Sequence, residues 1–231
     1  MKFKNAAIAS ALLMASSSAS AGIITWNTPT AISPVGDTIV STTGTLVEAL
    51  NWGNWAGTGT RTINGVTFTG KGAGGITTNS DFSSITNSAH SSAVYTDGGV
   101  GGDFEALLDS FMWRYPGVSS PVSLSGLTLG SQYMVQFFVS DDRGCCASEM
   151  SWFSGGGNES DHVRYDLSYA VTGMFTADAT TQALTVNGQY SSQVGGYQLR
   201  NLTTVPEPVT LAMFGLGLVG LSIARYRKKS L

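Results

Sequence analysis

The chain is poor in the residues that catalysis most often uses. Its 231 residues include two histidines and two cysteines, and 12% are charged. It contains no Gly-x-Ser-x-Gly elbow and no His-Glu-x-x-His, the motifs of α/β-hydrolases and zinc peptidases. His162 follows Glu159 and Asp161, but a solvated loop is the default interpretation of that stretch. The sequence therefore does not favour histidine-based hydrolysis.

Basic residues are scarce in the middle of the chain. Between residues 22 and 205 six basic residues stand against fourteen acidic ones, a net charge of about −8. The other six basic residues lie near the two ends of the chain. An acidic domain lacks the basic surface that binding to a polyanion requires. The composition therefore excludes nucleic acid as a partner.

The two cysteines, Cys145 and Cys146, are adjacent. In an oxidising compartment they form a vicinal disulfide, or they stay reduced or pair between molecules, and the sequence leaves these alternatives open. A vicinal bond closes no long loop, so the stability of the domain must come from its core.

Long apolar runs occur only near the ends. Lys2 and Lys4 precede the short apolar run Ala6–Ala15, and Ala19-Ser20-Ala21 is a small-x-small cleavage site. This order predicts a signal peptide over residues 1–21 and a mature chain beginning at Gly22.

The C-terminal tail carries the second apolar run, Val209–Ala224. As a helix it would be roughly 24 Å long, somewhat less than a bilayer core of about 30 Å. Four cations follow it and hold that end in the cytoplasm, which places the preceding domain outside. An ordinary membrane anchor would show the same run. These membrane-stop cations are Arg225, Arg227, Lys228 and Lys229.

A more specific interpretation of the tail comes from its resemblance to a known family of sequences. Pro206, Glu207 and Pro208, the Gly- and Leu-rich run and the basic end together resemble the PEP-CTERM sorting signal of exported bacterial proteins. The resemblance implies exosortase as a partner and removal of the tail near the Pro-Glu-Pro motif after export. It also implies a host that makes exopolysaccharide, and a membrane-anchored precursor that ends at the cell surface or in the extracellular matrix.

The central part has the composition of an all-β domain. Gly, Ser, Thr and Asn are abundant, and no long helical periodicity occurs. Asn64-Gly65 predicts a hairpin, and Gln132–Ser140, apolar on both faces, predicts the central strand of a sandwich. The predicted strands are Gly22–Trp26, Asp37–Ser41 paired with Thr45–Leu50, Arg61–Ile63, Val66–Phe68, Gln132–Ser140, Val163–Val171, Gly173–Ala177, Ala183–Val186 and Tyr197–Leu202.

One helix is predicted. Its apolar stripe falls at helical spacing, Asp103 is the expected N-cap, and Pro116-Gly117 is the expected end. A helix that closes one end of the sandwich explains the stripe better than a partner-binding face does. The stripe consists of Phe104, Leu107, Leu108 and Phe111.

Motifs in the second half resemble a jelly-roll domain found in PEP-CTERM proteins and related to galactose-binding-like and malectin-like sandwiches. They are Leu127–Tyr133, Val135–Asp141 with Arg143, Gly173–Asp178 and Tyr197–Arg200, and Asn64–Phe68 fits the same pattern. Such domains often bind sugars, although a fold does not imply a function.

Sugar sites combine an aromatic platform with hydrogen-bonding groups. Trp52, Trp55 and Trp152 are the candidate platforms, and burial in the sandwich is the alternative for each. Arg143 is a candidate for bidentate sugar contacts, and an ion pair with Asp141 or Asp142 explains it equally well.

Two acidic clusters offer hard oxygen ligands for calcium outside the cell. The candidate ligands are Asp97 and Asp103 in the first cluster and Asp141 and Asp142 in the second. Solvated turns explain both clusters as well, and Asp103 has a competing role as a helix cap.

The sequence therefore predicts an all-β, jelly-roll-type β-sandwich with one short helix. Its domains are a signal peptide (1–21), the sandwich (22–204) and the sorting signal with its transmembrane helix (205–231). The predicted function is non-enzymatic interaction with extracellular polysaccharide, without a cofactor unless calcium is structural. A purely structural matrix protein is the first alternative, and a polysaccharide-acting enzyme, which needs two facing carboxylates, is the second.

Overall fold

The computed structural model describes residues 22–52, 59–70, 80–81, 89–91, 98–114 and 119–203. In these ranges the chain forms short strands joined by turns, which confirms the predicted all-β class. The strands are β1 (Thr25–Trp26), β2 (Thr30–Ala31), β3 (Thr45–Asn51), β4 (Arg61–Ile63), β5 (Val66–Gly70), β6 (Ser80–Asp81), β7 (Ala89–Ser91), β8 (Ser110–Arg114), β9 (Ser119–Ser125), β10 (Gln132–Val139), β11 (Met150–Gly155), β12 (Asn158–Glu159), β13 (Val163–Arg164), β14 (Tyr169–Thr176), β15 (Thr181–Gly188), β16 (Ser192–Val194) and β17 (Gly196–Asn201). The helical segments are α1 (Ile32–Val35), α2 (Gly102–Leu108) and the 3₁₀ turns Gly36–Ile39 and Tyr165–Leu167.

Two of the sheets form a sandwich. The eight-stranded sheet has the order β1-β14-β10-β17-β3-β5-β4, with β2 also paired to β14. The six-stranded sheet has the order β12-β11-β15-β9-β6, with β13 also paired to β11. A third sheet, β16-β8-β7, lies at the end of the sandwich where β10 finishes, because Gly195 N donates to the Phe138 carbonyl oxygen. The predicted β-sandwich is confirmed.

The main core lies between the two large sheets. Alternate residues of β10 point into it, since successive side chains of a strand face opposite sides. Phe137 stacks on Phe153 of the opposite sheet, with ring centroids 4.3 Å apart. Further core residues from the two sheets are Val135, Val139, Tyr197 and Leu199, and Val122, Leu124, Leu184 and Val186.

A second apolar cluster covers the outer face of the eight-stranded sheet. Phe138 points into it from β10 and makes edge-on contacts with Phe68 and Phe104. The remaining members come from α1, α2, the β4–β5 hairpin and neighbouring strands, and include Ile32, Val40, Ile63, Val66, Leu107, Leu108 and Ala170. Strand β10 is therefore buried on both faces, and its place between β14 and β17 confirms the predicted central strand.

The predicted hairpin is present. Strands β4 and β5 pair antiparallel with Ile63 opposite Val66. Asn64 and Gly65 both have positive φ angles, 48° and 75°. Two such residues form a type I′ turn, which matches the twist of the flanking strands.

Two strand predictions were wrong. Asp37–Ser41 does not pair with β3. Its first part is the 3₁₀ turn Gly36–Ile39, and β3 pairs with β17 instead. Val163–Val171 is not one strand, because the 3₁₀ turn Tyr165–Leu167 interrupts it. Strand β14 begins after that turn and includes most of the separately predicted Gly173–Ala177.

The helix prediction was right for most of the apolar stripe but wrong at both ends of the helix. Phe104, Leu107 and Leu108 are buried on α2, whereas Phe111 lies on strand β8. The N-cap is Gly101, and the Asp103 carboxylate instead accepts a hydrogen bond from the Thr62 amide. The expected end, Pro116-Gly117, lies outside the described residues.

Among the residues that the structure describes, no helix has the length and apolar character needed to cross a membrane. The predicted signal peptide (1–21) and the predicted sorting signal with its helix (205–231) lie outside the described ranges, and both stay predictions.

Candidate functional site

The outer face of the six-stranded sheet carries small polar residues and one tryptophan. On β11, Ser151 and Phe153 are buried, and Trp152 between them points outward and is partly exposed. On β9 the outward positions include the exposed Ser119 and Pro121. We call this surface, formed by the outward side chains of β9, β11 and β15, the open face.

Trp152 is paired with a histidine on this face. The rings of Trp152 and His162 stack with centroids 4.2 Å apart and an interplanar angle of 14°. The short strand β13 pairs with the start of β11, Ser151 opposite Val163, which brings His162 beside Trp152. The His162 ring therefore covers one face of the Trp152 indole and is itself exposed to solvent.

A row of hydrogen-bonding side chains crosses the open face next to Trp152. Asn187 lies opposite Trp152 on the neighbouring strand. Its amide Nδ2 donates to Ser154 Oγ at 2.9 Å, and its Oδ1 accepts from Ser119 Oγ at 3.0 Å. Asn187 is itself buried. Each serine hydroxyl has one donor and two acceptor positions, so Ser119 and Ser154 can bond a ligand while Asn187 holds them in place.

A hollow of about 520 Å³ continues the open face toward the β11–β12 turn. Gly156 and Gly157 form the turn with positive φ angles of 61° and 82°, and Ser154 and Thr185 line the floor. Among the described residues that line the hollow, Glu159 is the one carboxylate. Glycosidases generally use a pair of carboxylates, so the hollow fits sugar binding better than sugar hydrolysis.

Trp52 is not a binding platform, and that prediction was wrong. Its side chain is 0% exposed. It stacks on Tyr197 with centroids 4.4 Å apart, and Phe137 lies 6.4 Å away on the same core. The neighbouring candidate Trp55 lies outside the described residues.

Arg143 forms an ion pair with the buried Asp141. Its Nε and Nη2 donate to the two carboxylate oxygens at 2.8 and 2.7 Å, and the guanidinium lies 4.8 Å over the Phe111 ring. The hydrogen bond to Asp141 raises the pKa of Arg143. The structure therefore favours the ion pair over the predicted sugar contact, because this pair occupies the fork of donors that a sugar would need.

The turn after Arg143 contains both cysteines, which are joined in a vicinal disulfide. The backbone amides of Cys146 and Ala147 both donate to the Arg143 carbonyl oxygen, so the turn is tight without the disulfide. The turn lies at the end of the sandwich where β10 finishes, away from the β11–β12 turn that borders the hollow.

The structure does not assemble the predicted calcium ligands. Both oxygens of Asp141 accept from Arg143, and Asp103 accepts from Thr62. Within the described ranges no group of three or more acidic, histidine or cysteine side chains is placed to hold a metal ion. Asp97 lies outside those ranges, and Asp142 is partly buried beside the ion pair. Calcium binding therefore stays a prediction.

Sequence reasoning missed most of the polar residues of the open face. Ser119 and Asn187 are 68 residues apart and meet only through the β9–β15 pairing. His162 was interpreted as part of a solvated loop, and its place beside Trp152 follows from the β11–β13 pairing. No local signal marks these residues, because the pattern that unites them is the register of the sheet.

The C-terminal residues provide the clearest likeness to known proteins. Residues 204–228 match the family model described as the PEP-CTERM protein-sorting motif. The chain carries a PEP-CTERM sorting motif. The match includes Pro206, Glu207 and Pro208, and it confirms the resemblance predicted from them. The motif implies exosortase as processing partner and an exported precursor anchored in a membrane.

The sandwich of this chain is similar to solved plant ectodomains. The ANXUR1 extracellular domain from Arabidopsis thaliana matches with a TM-score of 0.51 and 7% identity over 69% of this chain and 49% of that one. The ANX1 ectodomain from the same plant matches with a TM-score of 0.50 and 9% identity over 71% and 52% of the two chains. The chain thus spans about half the length of these ectodomains, and the likeness shows the fold alone. No curated protein matches the sequence.

Proposed function

We propose that this PEP-CTERM protein is processed by exosortase, displayed at the cell surface or in the extracellular matrix, and binds polysaccharide there without catalysing its hydrolysis. The sorting motif supports the route and the membrane-anchored stage. The stacked Trp152 and His162 on the open face carry the binding proposal.

The chemistry of the open face suits a sugar ring. Sugars present an apolar face of C–H groups and an edge of hydroxyls, so they need a flat aromatic ring beside side chains that donate and accept hydrogen bonds. Trp152 with the stacked His162 provides the aromatic surface, and Ser154 and Ser119, both held by Asn187, provide the hydrogen-bonding groups beside it. The hollow at the β11–β12 turn would accommodate a further sugar unit of the polymer.

The ion pair of Arg143 and Asp141 lies outside this proposal, and so does the buried Trp52. Both stabilise the fold. The burial of Trp52 favours the alternative of a purely structural matrix protein, because it removes one of the predicted platforms.

The direct test is binding of residues 22–203 to exopolysaccharide purified from the host. We expect saturable binding that decreases in the order wild type, Trp152→Phe, Trp152→Ala. Leu129→Ala is the matched control, since it removes an exposed apolar side chain away from the open face. Circular dichroism would confirm that each variant folds.

The outcomes separate the proposals. Absence of binding by a folded wild-type domain, with and without calcium, would leave a structural matrix protein. Release of reducing ends from the polysaccharide would instead identify an enzyme. Binding that is equal in wild type and Trp152→Ala would place the sugar site elsewhere on the domain.

A further inference from the structure

Exposed apolar side chains gather at the end of the sandwich where β10 begins. Ile23 is 69% exposed, Leu129 is 62% exposed and Met174 is 42% exposed. Ile23, Met174 and Leu202 line one hollow of about 240 Å³. Leu129 belongs to the same end, because the amide of its neighbour Gly130 donates to the Ala177 carbonyl just after β14.

The described chain also leaves the sandwich at this end. The Leu202 amide donates to the Gln132 carbonyl oxygen at 2.7 Å, and the Gln132 amide donates to Thr203 Oγ1 at 2.8 Å. The last described residues are thus fixed to the first residue of β10. The hollow and the point of exit share the side chain of Leu202.

The distance from this exit to the membrane is short. The sorting motif begins at residue 204, and the apolar run begins at Val209. Five residues intervene after Thr203, and even fully extended they span at most about 18 Å. In the anchored precursor this end of the sandwich is therefore held close to the bilayer surface.

The charge of this end fits such a position. The side chains that line the hollow are uncharged, whereas the predicted mature domain carries a net charge of about −8. Anionic lipids repel acidic surfaces, so the surface around this uncharged hollow is a part of the domain that can approach them. Asp178 is an acid at this end, in the turn that follows Ala177.

We propose that in the anchored precursor this end of the sandwich rests on the lipid bilayer, with Ile23, Leu129 and Met174 in the headgroup region. The boundary between headgroups and acyl chains takes up exposed apolar side chains. The opposite end, with the Cys145–Cys146 turn, then points away from the membrane.

The same orientation keeps Trp152 available, although the hollow lies nearer the membrane because Gly156 packs against Gly22 and Ile23. Strand β15 begins at Thr181 beside the membrane end, and Trp152 pairs with Asn187, six residues further along. At about 3.3 Å per residue this is roughly 20 Å from the start of the strand. Trp152 therefore clears the headgroups while the precursor is anchored.

The native thioether of Met174 provides the test. The full chain with its tail is reconstituted into vesicles of phosphatidylethanolamine and phosphatidylglycerol and oxidised with peroxide, and oxidation is followed by mass spectrometry. Met150 on β11 is partly exposed and serves as the internal reference. We expect the ratio of Met174 to Met150 oxidation to fall several-fold in vesicles relative to the chain freed by protease at the tail.

A matched variant tests the contact itself. Ile23→Ser with Leu129→Ser changes two exposed side chains, so the fold is retained and the Met174 protection should decrease. Equal oxidation of Met174 in vesicles and in the freed chain would overturn the proposal. So would protection that appears only when exosortase is reconstituted with the chain, since the partner of this end would then be the peptidase.

Discussion

The outer faces of the two large sheets differ in what covers them. The outer face of the eight-stranded sheet is covered by α1, α2 and residues 36–44, which pack with apolar side chains of the β4–β5 hairpin at the edge of the same sheet. The outward positions of the six-stranded sheet include exposed small residues around Trp152. A covered face stabilises the fold, and an open face with aligned hydrogen-bonding groups is free to bind a ligand.

The covered face has a polar part as well as an apolar one. Gln198 Nε2 donates to Gln136 Oε1 at 2.7 Å, and Gln136 Nε2 donates to the Ile39 carbonyl at 3.0 Å. Arg200 donates to the carbonyls of Thr42, Thr43 and Gly44. These bonds fasten the segment before β3 across the sheet, and burial lowers the pKa of Arg200.

The largest effect is expected from the apolar part of the covered face. Phe138→Ala removes a fully buried ring that contacts Phe68 and Phe104. Such a truncation costs about 3–5 kcal/mol of unfolding free energy, much of what a domain has. Urea denaturation would measure it. A loss under about 1 kcal/mol would mean that the covering segment is not packed on the sheet.

Arg200→Ala should cause the second-largest loss of unfolding free energy. It leaves backbone carbonyls of residues 42–44 without the buried Arg200 donor, at about 1–3 kcal/mol of unfolding free energy. Arg200→Lys, which keeps the charge but loses the planar fork of donors, should fall between wild type and Arg200→Ala. Equal denaturation midpoints for all three proteins would contradict the role given to this side chain.

On the open face, a substitution should affect ligand binding more than it affects the stability of the fold. Trp152→Ala should weaken polysaccharide binding at least tenfold, equivalent to about 1.4 kcal/mol. It should lower the unfolding free energy by less than Phe138→Ala does, because Trp152 is only partly buried. Calorimetry and urea denaturation of the same preparation give both values. A larger effect on stability than on binding would make Trp152 a packing residue.

The smallest effect on stability is expected at the vicinal disulfide, which lies on neither face. Replacing both cysteines, Cys145→Ser with Cys146→Ser, should change the unfolding free energy by less than about 1 kcal/mol, since the bond closes no long loop. The tight turn at Arg143 persists through its backbone hydrogen bonds. A denaturation midpoint far below that of the wild type would show that the disulfide supports more than this turn.

The sequence predicted elements whose signal is local. Strand β10 is apolar on both faces, and Asn64-Gly65 specifies its own turn, so both were recognised. Strand β9 was missed because it contains serines and an interior proline, which are typical of loops. It is a strand because β15 pairs along seven of its residues.

The candidate site was less predictable for the same reason. Residue type singled out Trp52 and Trp152 alike, and only the packing of the two sheets decides that the first is core and the second faces outward. The partners of Trp152 on β9, β13 and β15 are joined by strand pairing. A single sequence shows which residues suit a sugar but not which of them share a face.

The position of β17 has a consequence for export. This strand, Gly196–Asn201, is the last of the described strands in the chain, yet it lies between β10 and β3 inside the larger sheet. The sheet therefore stays divided until the final stretch before the sorting motif has crossed the membrane. A chain that ends earlier lacks both this inner strand and the tail. The sheet can therefore be completed only in chains that reach the sorting motif.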